Sequence, residues 1–133
     1  MCLRREKKAY QGRIRRVTVD VTLAELQAAG ATTTLAKTFG TIPQNALIMY
    51  SHLERHVAVT DGATGTFGAT VGDGSSAANV MAAGDIDGGT TDVVTAETKI
   101  VPAGGVFTLN ITGSVNLGTV TAGSFRATIF FVN

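Results

Sequence analysis

Residues 106–112 read VFTLNIT and residues 124–132 read SFRATIFFV, and in both stretches apolar side chains occupy every second position. Because successive side chains of a β-strand point to opposite faces, this spacing predicts two strands that each bury one face. The predicted inward side chains are Phe107, Leu109 and Ile111 in the first strand, and Phe125, Ala127, Ile129 and Phe131 in the second.

Similar but less regular patterns precede these two strands. Turn residues separate the stretches, and β-branched side chains are frequent within them, as is typical of strands. Further strands are predicted over residues 13–21, 32–40, 46–60, 66–71, 90–95 and 97–101. Residues 72–89 are predicted to be a long loop with room for a short helix at 77–83, and residues 113–123 to be the end of a hairpin.

One short helix is predicted at residues 23–29. Thr22 can cap it, Glu25 follows three residues later, and Gly30 comes after the run LAELQAA. So little helix cannot cover a sheet, and two sheets must therefore bury each other. The predicted fold is all-β, a jelly-roll-like β-sandwich of about eight strands, with a single domain at residues 13–133.

Charge is distributed unevenly along the chain. The net charge is +1, yet residues 1–16 hold seven cations against the single Glu6, and the remainder holds four cations against nine acids. Residues 1–12 are therefore predicted to be a basic N-terminal arm, which continues into the first strand. The seven cations, called the basic segment below, are Arg4, Arg5, Lys7, Lys8, Arg13, Arg15 and Arg16.

Three interpretations of the basic segment remain open. It could lie across an acidic protein surface, either its own or a partner's, it could bind nucleic acid through phosphates, or it could be a solvated tail. The only aromatic residue among residues 1–16 is Tyr10, which leaves no platform on which bases could stack. We therefore favour an acidic protein surface over nucleic acid.

The sequence contains no recognisable catalytic motif. The run GATGTFGATVGDG at residues 62–74 lacks the lysine of a phosphate-binding loop, and Cys2 is the only cysteine. His52 and His56 would be about 13 Å apart on a strand, too far to share one metal ion. We predict no catalytic residues, no metal ligands and no cofactor.

A loop calcium site is an alternative that the sequence leaves open. Asp85 and Asp87 are spaced like the start of a calcium loop, but the bidentate glutamate is missing, so Asp61, Asp73 or Asp92 would have to complete the site. No apolar run is long enough to span a membrane. The charged start is unlike a secretion signal, which predicts synthesis in a cytoplasm and no membrane partner.

Four stretches make the chain resemble the β-sandwich or jelly-roll decoration (cement) proteins of tailed-bacteriophage capsids. They are VTLAELQAAGATTT (21–34), TIPQNALI (41–48), FGATVGDGSSAANVMAAGDID (67–87) and FRATIFFV (125–132). The resemblance covers residues 17–133 and excludes the basic arm. It implies no catalytic residues, because the family has none.

The resemblance also implies a function. Such proteins bind the outer surface of the virion shell, as dimers or trimers, and bridge subunits of the major capsid protein. We therefore expect a homo-oligomeric structural protein on the capsid. The alternatives are a tail or fibre protein that binds a host receptor or glycan, a non-viral binding module, and an enzyme.

Overall fold

The computed structural model describes residues 13–73, 78, 80–86, 92–95, 99–101 and 105–133. Over these residues the chain forms nine β-strands, one α-helix and a 3-10 helix at Leu117–Thr119. The helix α1 is Leu23–Ala28. The strands are β1 (Ile14–Val21), β2 (Thr34–Ile42), β3 (Ala46–Thr60), β4 (Phe67–Gly72), β5 (Met81–Asp85), β6 (Asp92–Thr95), β7 (Lys99–Val101), β8 (Gly105–Gly113) and β9 (Ala122–Val132).

The strands pair in a nested order. The first strand β1 pairs with the last strand β9, β2 pairs with β8, β3 pairs with β6 and β7, and β4 pairs with β5, all antiparallel. Sheet A has the order β1-β9-β3-β6, with β7 also on β3, and sheet B has the order β2-β8-β4-β5. This nesting is what a long hairpin produces when it rolls into two sheets, and it confirms the predicted jelly-roll-like sandwich.

Strands β6 and β7 share one neighbour. Asp92–Thr95 pairs with Ser51–Glu54, and Lys99–Val101 pairs with Ala46–Ile48, so both strands run along successive parts of β3. The two short strands predicted at 90–95 and 97–101 are confirmed over these residues. They therefore act as one edge strand of sheet A.

The core lies between the two sheets and is filled by alternate side chains. The predicted inward residues of β8 and β9 are buried, with Phe107, Leu109, Ile111 and Ile129 all fully inaccessible to solvent. Leucine, isoleucine and phenylalanine side chains each stabilise the fold by roughly 1.5–3 kcal/mol when fully buried. The pattern that predicted these two strands therefore also specified the centre of the core.

Helix α1 closes one end of the sandwich. The Thr22 Oγ1 accepts a hydrogen bond from the Glu25 backbone N–H at 3.3 Å, as the predicted cap requires, and Leu26 is fully buried. The Lys37 ammonium lies 2.5 Å from the Glu25 carboxylate and donates to the Asp20 carbonyl at 2.7 Å. This lysine therefore ties the helix to both β1 and β2.

Two sequence predictions of loop structure were wrong. Met81–Asp85 is strand β5, where a loop with a helix at 77–83 was expected, because pairing with β4 outweighs the helix preference of Ala82 and Ala83. The segment after β8 is not a hairpin end, because it crosses from sheet B to sheet A and contains the 3-10 helix.

Strand β3 contains an irregularity that determines which side chains reach the surface. Its register with β9 shifts between Ile48 and Tyr50, so Met49 is an extra residue, as in a β-bulge. Ile48 and Ser51 are both buried although they are three residues apart. The bulge thereby turns Tyr50 outward.

Candidate binding surface

The basic segment lies partly within the described residues. Arg13 immediately precedes β1, while Arg15 and Arg16 belong to it, and all three are exposed. Arg15 shares the phase of the inward-facing Val17 and Val19, but it lies at the rim where the strand begins. The four remaining cations, Arg4, Arg5, Lys7 and Lys8, lie outside the described residues, so their predicted role stays a prediction.

The outward positions of β1, β9 and β3 form a surface that we call outer face A. Strand registers align these positions in rows across the sheet, and we name each row after its β9 residue. The rows are Ile14–Val132–Leu47, Arg16–Phe130–Tyr50, Thr18–Thr128–His52, Asp20–Arg126–Glu54, and Ser124–Val57.

The Arg126 row carries three charged side chains of outer face A, and Arg16 in the Phe130 row is a fourth. The Arg126 Nε donates to Asp20 Oδ1 at 2.7 Å, and its Nη2 donates to Asp20 Oδ2 at 3.4 Å. This hydrogen bond from Arg126 lowers the pKa of the Asp20 carboxyl and raises the pKa of the guanidinium. Glu54 opposes Arg126 from β3, and its carboxylate lies 3.6 Å from His56 Nε2.

The other end of outer face A is aromatic and aliphatic. The rings of Tyr50 and Phe130 stack with centroids 4.6 Å apart and an interplanar angle of 26°. Beside them Ile14 is 67% exposed and Leu47 is 37% exposed. Tyr50 and Phe130 are partly exposed, and solvent-accessible aromatic and apolar side chains next to arginine are typical of the centre of a protein interface.

The outward positions of β2, β8 and β4 have a different chemistry. They carry no formal charge and consist mostly of threonine, alanine and glycine, so this surface offers hydroxyls and close access to the backbone. Its aligned rows are Thr34–Thr112–Gly68, Ala36–Asn110–Thr70 and Thr38–Thr108–Gly72. The two broad faces of the sandwich are therefore chemically distinct.

Only some of the acidic candidates for a calcium site have side chains that the structure describes. The Asp61 Oδ1 accepts hydrogen bonds from the backbone N–H groups of Ala63 and Gly65, which stabilise a turn. Asp87 lies outside the described residues, and nothing is described of the Asp85 and Asp92 side chains. Over the part of the chain that the structure describes, no three His, Cys, Asp or Glu residues are grouped so that they could hold a metal ion.

His52 and His56 occupy different environments. His52 lies in the Thr128 row of outer face A, and His56 is exposed near a second register shift in β3.

In the described part of the chain, no helix is long and apolar enough to cross a membrane.

Comparison with known proteins gives a fold relationship. No protein-family model and no curated protein matches the sequence. The chain resembles one in the capsid asymmetric unit of cyanophage Pam1, with a TM-score of 0.65 and 24% identity, over 92% of this chain and 86% of that one. It also resembles one in the acid-stable capsid of Helicobacter pylori bacteriophage KHP30, with a TM-score of 0.64 and 9% identity, over 90% and 87%. The same fold thus occurs in two phage capsids.

Sequence reasoning did not identify outer face A. The inward assignment of Phe125 and Ile129 already placed Phe130 on the outward face of its strand, and a solvent-facing phenylalanine was the available signal. Its aromatic partner Tyr50 could not be assigned to the same face, because the bulge at Met49 changes the phase of β3.

Proposed function

We propose that this chain is a structural protein of a phage virion, bound to the outer surface of the shell, where it bridges subunits of the major capsid protein. The observation that carries this proposal is the nearly full-length agreement of its fold with chains of two phage capsids, over 92% and 90% of its own length. Agreement over most of both chains supports a similar use more than agreement over a short shared fragment would.

The basic segment supplies the proposed contact with the shell. Arg13 and Arg15 are exposed at the start of β1, and four further cations precede them at residues 4–8. Such a concentration of positive charge suits an acidic surface on a capsid subunit. Exposed ion pairs contribute only about 0.2–1 kcal/mol each, so several pairs, repeated over many copies, are needed for firm attachment.

A binding experiment with shells that lack the protein tests this proposal. Purified protein is added to particles of a phage deleted for its gene, and bound copies are counted after sedimentation and located by electron microscopy. We expect regular density at joints between shell subunits. Density at the tail, or binding to host cells by the isolated protein, would instead support the receptor-binding alternative.

Matched variants of the basic segment test the contact itself. Changing Arg4, Arg5, Lys7, Lys8, Arg13 and Arg15 to glutamine should weaken shell binding by on the order of 10-fold or more. Changing only the four arginines of this set to lysine retains the charge and should have a much smaller effect. Equal binding by the glutamine variant and the unmodified protein would contradict a role for the basic segment.

A further inference from the structure

We propose that outer face A is a self-association surface, on which a second copy of this chain packs with its strands antiparallel to those of the first. The proposal concerns the isolated protein and does not depend on its binding to a shell.

The chemistry of the face is that of a surface covered by protein. Three of its aliphatic side chains are well exposed: Ile14 at 67%, Val57 at 49% and Leu47 at 37%. Ile14 and Leu47 lie at one end of the face, next to the Tyr50–Phe130 stack, and Val57 lies at the other end, beyond the charged row. Apolar groups flanked by arginine and carboxylate favour association through burial, while the charged groups fix the orientation.

Charge complementarity indicates a second copy as the occupant. A two-fold axis that runs across the strands through the Thr128 row places the Phe130 row of one copy on the Arg126 row of the other. Arg16 then faces the Asp20 carboxylate of the second copy, and Phe130 faces the Arg126 guanidinium, a cation–π arrangement. A two-fold axis repeats both contacts, so each group meets its complement twice.

The remaining rows are also complementary under the same axis. Tyr50 faces Glu54 of the second copy, so a phenolic hydroxyl meets a carboxylate. The Val132 row lies over the Ser124 row, and the exposed Leu47 therefore meets the exposed Val57. Both of these aliphatic side chains leave water in this arrangement.

The same argument disfavours a two-fold arrangement of this face in which the strands of the two copies are parallel. An axis parallel to the strands would place Arg126 of one copy on Arg126 of the second copy. It would also place Asp20 on Glu54 of the second copy, so that like charges would meet without compensation. The antiparallel arrangement brings unlike charges together and is therefore the one that we infer.

Two charge-reversed variants test the inference through their behaviour alone and mixed. The unmodified protein should be a dimer by analytical ultracentrifugation or light scattering at about 100 µM, and it should dissociate on dilution. Arg16→Asp and Asp20→Arg should each weaken self-association by on the order of 10- to 100-fold, because each creates two like-charge contacts. Mixing the two variants should restore a dimer, since every Asp then faces an Arg.

The control places a charge on the opposite side of the sandwich. Thr38→Asp lies among the uncharged outward positions of sheet B and should leave the dimer unchanged. Circular dichroism and thermal unfolding of each variant separate misfolding from lost association, and a misfolded variant would not recover a partner on mixing.

Several results would overturn the inference. They are a monomer at the highest concentration, a trimer, dimer loss by Thr38→Asp, or failure of the two variants to pair. A monomer whose shell binding is abolished by Asp20→Arg, a change outside the basic segment, would assign the face to a capsid subunit instead. Because association is measured without shells, this proposal and the proposed function can fail independently.

Discussion

At the scale of single residues, Ser51 is the least expected occupant of the core. It is 1% exposed, and its hydroxyl has no hydrogen-bond partner among the residues that the structure describes. Its neighbours along the inner face of β3 are Ile48 and Leu53, which are fully or almost fully buried. A buried hydroxyl without a partner loses its hydration and gains nothing in return, which costs about 1–3 kcal/mol.

Replacing Ser51 should therefore stabilise the fold. We expect Ser51→Ala to raise the free energy of unfolding by about 1 kcal/mol, because it removes the unsatisfied hydroxyl. The matched control is Ser114→Ala. The Ser114 Oγ accepts a hydrogen bond from the Thr66 backbone N–H at 2.9 Å, so its loss should lower stability by up to about 1 kcal/mol. Urea denaturation measures both values, and a destabilising Ser51→Ala would show that the hydroxyl has a partner.

At the scale of elements, the contact between helix α1 and the 3-10 helix depends on close backbone approach. The Gly118 N–H donates to the Gly30 carbonyl at 2.9 Å. A methyl group at Gly118 would lie 2.8 Å from that carbonyl oxygen and 2.9 Å from the Gly30 Cα, which is closer than carbon atoms pack. The absence of a side chain at Gly118 therefore allows these elements to meet.

The two glycines of this contact should respond differently to substitution. Gly118→Ala forces the backbones apart and should destabilise the fold by about 1–3 kcal/mol. Gly30 has a left-handed φ of 66° but open space where a side chain would point, so Gly30→Asn should cost less than about 1 kcal/mol. Thermal unfolding compares them, and equal losses would contradict a steric role for Gly118.

Element boundaries were predictable where the signal was local. Alternation alone located β8 and β9, and the Thr22 cap with Glu25 located α1 to within one residue. Strand β5 was missed because its sequence, MAAGD, has no strand pattern of its own and forms a strand only by pairing with β4. The bulge at Met49 was missed for the same reason, since a register shift is a property of two strands together.

At the scale of the whole molecule, the first and last strands pair with each other at one edge of sheet A. Strand β1 pairs with β9 through eight residues and covers its edge, and residues 1–12 precede this pairing. The domain division at residues 12 and 13 was a sequence prediction and remains one. Strand order itself could not be predicted, because nested pairing joins strands far apart in sequence, and the partners in β1 and β9 are more than a hundred positions apart.

Truncation tests that division. Deleting residues 2–12 should leave the free energy of unfolding unchanged within about 0.5 kcal/mol. Deleting residues 2–21 should prevent cooperative folding, because it exposes the long edge of β9 and removes Val19 and Val21 from the core. Urea denaturation followed by circular dichroism measures both. A large loss from the shorter deletion would place the arm within the folded unit.

The antiparallel pairing of β1 with β9 also determines how the protein would transmit mechanical force. Ladder hydrogen bonds are perpendicular to antiparallel strands, so tension that pulls Arg13 along the axis of β1 shears all of these bonds at once. A pull across the sheet would instead unzip them one after another. An arm that is attached to a partner in line with β1 would thus resist a load that would separate β1 from β9 if it were applied across the sheet.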